Sequence, residues 1–129
     1  MIQAVFKMRT RPEKRKEMLQ TAQALKNLAK KEQGCLEYQV YQDPEDEDTI
    51  VFVGEWKSHR YLRDHVNSEG FGVLVGANRI LAGDSVIYLN TISRKEVFND
   101  FAALGNALAL STCQSGQVEI QKKGKEKMK

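Results

Sequence analysis

At 129 residues the chain has room for one domain with one core, and its 41% hydrophobic content excludes a disordered protein. No apolar run approaches transmembrane length. The net charge of +3 belongs to the end of the chain: residues 1–92 carry 13 Lys or Arg against 13 Asp or Glu, and residues 93–129 carry seven against four. The basicity therefore belongs to the tail, whereas a nucleic-acid footprint would normally occupy a structured face.

The first strand is residues 2–8, with Ile2, Ala4, Phe6 and Met8 on one face and Gln3, Val5 and Lys7 on the other. Thr10 followed by Glu13 has capping-box spacing, with Pro12 in the first turn, and predicts a helix running to about Glu32. Within it Met18, Ala22, Leu25 and Ala29 recur at steps of four and three, with Leu19 and Leu28 widening the stripe. Gly34 is placed to cap its end. Residues 35–42, CLEYQVYQ, make the second strand, with Leu36, Tyr38 and Val40 on one face. The acidic DPEDED stretch reads as a solvated hairpin connection, without the glycine and alternation of a calcium loop.

Residues 49–56, TIVFVGEW, form a third strand that is apolar on both faces: Ile50, Phe52 and Trp56 point one way, Val51 and Val53 the other. Ser58 is a natural N-cap for a segment in which Tyr61, Leu62, His65 and Val66 share a face. Residues 67–70 interrupt that segment, and Phe71, Leu74, Val75 and Asn78 resume helical spacing as far as Leu81. The last strand is residues 85–92, with Val86, Tyr88 and Ile92 set against Ile87 and Leu89. Beyond Ser93 the sequence predicts a weaker helix over 98–110, a short strand over 118–121 and a charged tail, KKGKEKMK.

Strand, helix, strand, strand, helix, strand is the order of an α+β, ferredoxin-like βαββαβ domain over residues 1–92, followed by a C-terminal extension over 93–129. Both helices lie on one face of a four-stranded antiparallel sheet. The other face carries Val5, Val51 and Val53, an apolar surface that soluble monomers avoid. The expectation is therefore a two-fold homodimer packed sheet to sheet, with the C-terminal helix as the rival cover. MIQAVFKMRTRP lacks the order of a secretory signal, so a cytoplasmic protein is expected. Cys35 and Cys113 form no CxxC pair and read as free thiols; with His59 and His65 they match no zinc pattern.

The chain resembles the antibiotic biosynthesis monooxygenase family of dimeric α/β-barrel proteins. The likeness rests on a first strand leading into PEKRKEML, on GCLEYQVYQD over residues 34–43, on GEW over 54–56, and on HVNS over 65–68 with Phe71. The resemblance implies a homodimeric α/β barrel with a pocket between sheet and helices. It also implies oxidation of a small phenol or hydroquinone to a quinone by molecular oxygen, without flavin, haem or metal. By position, Trp56 and His65 would belong to that pocket. The haem-degrading branch carries its iron-binding histidine four residues after the phenylalanine that is here Phe71. Val75 stands there, which argues against haem breakdown.

Among the candidate site residues, His65 has the right chemistry for a base, since imidazole changes charge near neutral pH. The competing reading is a histidine that braces the helix break and fixes Ser68. Trp56 offers a planar wall and an indole N–H donor, or simply closes the end of the sheet. Tyr38 and Tyr88 are expected to project to one side and line the pocket together with Phe71. Asn78 on the helical stripe would orient a substrate or satisfy a loop carbonyl, and Arg79 would steady an anion or stand in solvent. Two other functions stay open: a non-catalytic small-molecule-binding dimer, and an isomerase or decarboxylase of a related aromatic or lactone. No glycine-rich phosphate loop, nucleophile elbow or zinc metalloprotease helix is present. The tail lysines lack the interleaved aromatics of single-strand binding by stacking, and no apolar run reaches transmembrane length, so neither nucleic acid nor membrane is an expected partner.

Overall fold

The computed structural model describes residues 1–115, with side chains as far as Ala109. It groups them into one unit, Met1–Ser93, and a second that begins at Arg94. The first unit runs β1 (Ile2–Thr10), α1 (Arg15–Ala29), β2 (Cys35–Asp43), β3 (Asp46–Trp56), α2 (His59–Val66), α3 (Glu69–Leu81) and β4 (Ala82–Thr91). The sheet order is β2-β3-β1-β4, antiparallel throughout, which is the ferredoxin-like arrangement.

Strand alternation sorts the sheet into two faces. On the helix side Ile2, Ala4, Phe6 and Met8 sit opposite Trp56, Gly54, Phe52 and Ile50. Tyr38 and Val40 extend those rows on β2, opposite Gly54 and Phe52. The buried set of α1 is Met18, Ala22, Leu25 and Ala29, the stripe read from the sequence, and it closes over this face. Leu28 falls outside the core at 55% exposure. The opposite face carries Gln39, Val53, Val5 and Tyr88 in one row and Tyr41, Val51, Lys7 and Val86 in the next.

The start of the first helix differs from its sequence signal. Thr10 is the buried last residue of β1, paired with Ala82, and its hydroxyl has no partner. The strand holds it away from the helix, so the capping box does not form. A single 3-10 turn over Pro12–Lys14 leads into α1 instead. The helix start is tied to the β2–β3 hairpin by Arg15, which reaches Asp48 at 2.8 Å and Glu47 at 3.2 Å. β3 begins at Asp46 and takes in the last acids of the DPEDED stretch as strand residues.

Gly34 follows α1 with φ +82°, a left-handed conformation that side chains resist. A Cβ there would lie 2.1 Å from Cγ of Tyr61, so the glycine also admits the ring that packs α2 against this turn. The break between α2 and α3 is built by Ser68. Its Oγ donates to the His65 carbonyl at 2.6 Å and accepts from the Phe71 N–H at 3.2 Å, ending one helix and capping the next.

The helices do not shield the whole face. Ile87 and Leu89 of β4 lie opposite Phe6 and Ala4 on the helix side, yet are 57% and 59% exposed. The α2–α3 layer covers the inner strands and leaves the β4 edge bare.

In the second unit, α4 spans Phe101–Ser115, and Asp100 Oδ1 accepts from the Ala103 N–H at 2.7 Å at its start. The strand expected at 118–121 and the basic tail lie outside the described residues, as does the side chain of Cys113. Cys35 is a free thiol.

Candidate functional site

A cavity of about 290 Å³ lies between the sheet and the α2–α3 layer. Ala4, Phe6, Phe52 and Gly54 form its floor, with Phe6 and Phe52 stacked at 5.6 Å. Tyr38 and Trp56 wall one end, and Leu62, His65, Phe71 and Leu74 cover it. Exposed Ile87 and Leu89 on the bare edge of β4, with exposed Val66 at the end of α2, line the side where the cavity meets solvent. The space exists partly because residue 54 lacks a side chain. A Cβ there would stand 3.0 Å from Trp56 Nε1 and 3.0 Å from the Tyr38 ring.

His65 is the centre of an aromatic box. Its ring stacks on Trp56 at 4.5 Å and meets Phe71 and Tyr38 edge-on at 5.3 and 5.7 Å. Only 8% of the residue is exposed. Its Nδ1 lies 2.6 Å from Glu32 Oε1, a carboxylate three residues beyond the end of α1. The helix-breaking turn is held by the backbone carbonyl of His65 rather than by its imidazole, which leaves the ring free for other work.

Two further polar groups belong to residues that line this apolar space. Trp56 Nε1 is buried without a hydrogen-bond partner, a state that costs about 1–3 kcal/mol and that a ligand oxygen would relieve. Burial, then the negative charge of Glu32, pushes the Tyr38 hydroxyl well above the ordinary phenol range, so it stays a neutral donor. Burial likewise raises Cys35, which stays a thiol. Together these groups can hold a planar molecule by its faces, donate to one of its oxygens, and receive a proton from it. Among the described residues no group of three or more His, Cys, Asp or Glu is placed to hold a metal ion. Val75, at the position of the haem branch's histidine, is 37% exposed on α3 and does not line the cavity.

Of the residues singled out in the sequence, the fold brings His65, Trp56, Tyr38 and Phe71 together. Tyr88 is a correction. It sits opposite Val5 on the far face of the sheet, so it cannot join Tyr38 in the pocket. Asn78 and Arg79 also lie outside the cavity lining: the Asn78 Oδ1 is buried without a partner elsewhere on α3, and Arg79 is exposed. The sequence reading missed Gly54 and Glu32. Glu32 had a signal, because it continues the buried spacing of Leu25 and Ala29 by three residues and is a charge on an apolar stripe.

Comparison with known proteins places this geometry in context. Residues 1–76 match the model of the family described as antibiotic biosynthesis monooxygenase. YcnE of Bacillus subtilis (strain 168) is 30% identical over 80 residues, 62% of this chain and 82% of that protein. A crystal structure of an antibiotic biosynthesis monooxygenase superposes with a TM-score of 0.67 at 25% identity, covering 73% of this chain and all of the other. SnoaB, a cofactor-independent oxygenase from Streptomyces nogalater, shares the fold with a TM-score of 0.64 at 16% identity, covering 73% and 94% of the two chains. Among the described residues no helix is long and apolar enough to cross a membrane.

Proposed function

We propose, from the premise that this chain belongs to the antibiotic biosynthesis monooxygenase family, that it is a cofactor-independent monooxygenase of small phenols or hydroquinones. Membership supports oxidoreductase chemistry at the level of the family; the substrate class is our reading of the cavity. The observation that carries it is a buried imidazole stacked on an indole whose N–H has no partner, in an apolar cavity open at one edge. The name of SnoaB is in keeping with this reading.

The substrate ring lies against the Phe6–Phe52 floor with its oxygen toward Trp56 Nε1. His65 takes the hydroxyl proton, and the anion is held by the indole N–H in a low-dielectric site. The anion gives its electrons to molecular oxygen. For a phenol with a free ring position, one oxygen atom enters the ring, the other leaves as water, and the product is the quinone. For a hydroquinone, two electrons and two protons pass to oxygen, giving quinone and hydrogen peroxide, an oxidase outcome of the same site in which no oxygen atom is inserted. In both cases the substrate is the only reductant.

The outer sheet face, with Val5, Val51, Val53, Val86 and Tyr88 along its rows, supports the two-fold dimer as part of the same reading. Sedimentation of a dimer at micromolar concentration is the expected result.

The test of the activity is oxygen consumption by purified, metal-stripped protein with a phenol and hydroquinone panel. Steady uptake that falls at least tenfold in His65→Ala is expected. Absence of turnover across the panel, with tight binding retained, would convert the site to a binder. Turnover without oxygen would make it an isomerase or decarboxylase.

A further inference from the structure

We propose that Glu32 is a positioning residue for His65: it fixes the tautomer that turns the ring's second nitrogen into a base, and it balances the charge the ring acquires. The catalytic part of this inference rests on the reading of His65 as the base. The tautomer part stands without it.

The geometry begins with the chain after α1. The Glu32 N–H donates to the Ala29 carbonyl at 3.0 Å, and its own carbonyl accepts from the Cys35 N–H at 3.2 Å. Backbone bonds on both sides therefore hold the residue in place. The side chain meets His65 Nδ1 at 2.6 Å, across 33 positions of sequence. A separation this short between ring nitrogen and carboxylate oxygen belongs to a charge-assisted hydrogen bond. An ionised carboxylate can only accept, so Nδ1 carries the proton. In the neutral ring Nε2 is then unprotonated, with its lone pair available. Trp56, Phe71 and Tyr38 close on the ring, so it cannot turn over to exchange its nitrogens without displacing them.

The difference in exposure adds a direction. The imidazole is 8% exposed and lines the cavity, whereas the Glu32 side chain is 27% exposed. A proton taken from a substrate hydroxyl by Nε2 makes an imidazolium whose charge the carboxylate offsets. The pair therefore places the offsetting charge on the more exposed side of the ring, away from the bound anion. The other titratable groups here are Tyr38, which also faces the ring, and Cys35, beside Glu32; both stay neutral under these conditions.

The test uses the full chain labelled with ¹⁵N at histidine. In the parent protein the His65 ring shifts are expected to show a protonated Nδ1 and an unprotonated Nε2. Glu32→Gln keeps an acceptor carbonyl and is expected to retain that tautomer while losing the charge. Glu32→Ala is expected to release the ring to the Nε2–H form. With a turned-over phenol, kcat is expected to fall at least about tenfold in Glu32→Gln and further in Glu32→Ala, with KM little changed. A protonated Nδ1 that persists in Glu32→Ala would overturn the tautomer assignment, and parental kcat in Glu32→Gln would overturn the role of the charge. Should no phenol be oxidised by the parent, the oxygenase reading fails while the ring shifts still decide the place of Glu32.

Discussion

Gly54→Ala adds one carbon at the point where the site is tightest. That Cβ would stand 3.0 Å from Trp56 Nε1 and 3.0 and 3.2 Å from two carbons of the Tyr38 ring. Favourable contact needs about 3.5–4.0 Å. Neither ring yields easily, since Trp56 is 0% exposed and Tyr38 5%. Overpacking a filled core costs about 1–3 kcal/mol, and alanine returns about 0.5–1 kcal/mol over glycine within a strand. The remainder is a destabilisation of up to about 2.5 kcal/mol, centred near 1 kcal/mol, and each kcal/mol lowers Tm by about 4–8 °C in a domain of this size. Urea titration followed by the emission of the single tryptophan measures both the loss and its place, because that tryptophan is Trp56. Ligand affinity should fall with it, since both rings line the cavity. A Gly54→Ala protein as stable as the parent, with unchanged m-value and unaltered Trp56 emission, would refute the claim that these rings are locked.

Three other perturbations follow from the same geometry. The Tyr38 hydroxyl titrates above its free value of 10.0 in the folded state, so its contribution to stability is whole below about pH 10 and drains as pH rises beyond it, by at most about 1.4 kcal/mol per pH unit. Tyr38→Phe should flatten that alkaline limb in urea titrations run across it, and an unchanged limb would count against Tyr38 as its source. Gly34→Ala imposes a side chain at φ +82° against the Tyr61 ring; strain of about 1–2 kcal/mol and overpacking of about 1–3 kcal/mol should together lower stability by roughly 2–5 kcal/mol. Thermal melting within a degree of the parent would contradict this. Ser68→Ala removes both bonds at the helix break and should cost about 0.5–2 kcal/mol, with faster hydrogen exchange at the Phe71 amide as the local signature.

Some of the site was legible before folding was considered. The adjacency of Trp56 to His65 could be argued because one ends an apolar strand and the other lies on the apolar face of the segment that follows, a local relation. Phe71 was legible because it opens the helical spacing that continues through Leu74 and Asn78. Tyr88 was misplaced because both faces of its strand are apolar. The choice of inward set depends on the register of β4 on β1, which pairs Tyr88 with Val5 and turns Ile87 and Leu89 toward the helices. Asn78 was misjudged because helical spacing places a residue on a face but says nothing of where the cavity beside that face ends.

Alternation and helical period are properties of neighbouring residues, and they determined by themselves the order of the elements, the α1 stripe from Met18 to Ala29 and the grouping of Ile50, Phe52 and Trp56 on one side of their strand. The tertiary structure alone decided that Glu32 meets His65, that Gly54 opens a space between two rings, and that β4 leaves one side of that space unroofed. Each of these joins residues far apart in the chain, and such meetings are set by packing and strand register, which no local pattern encodes.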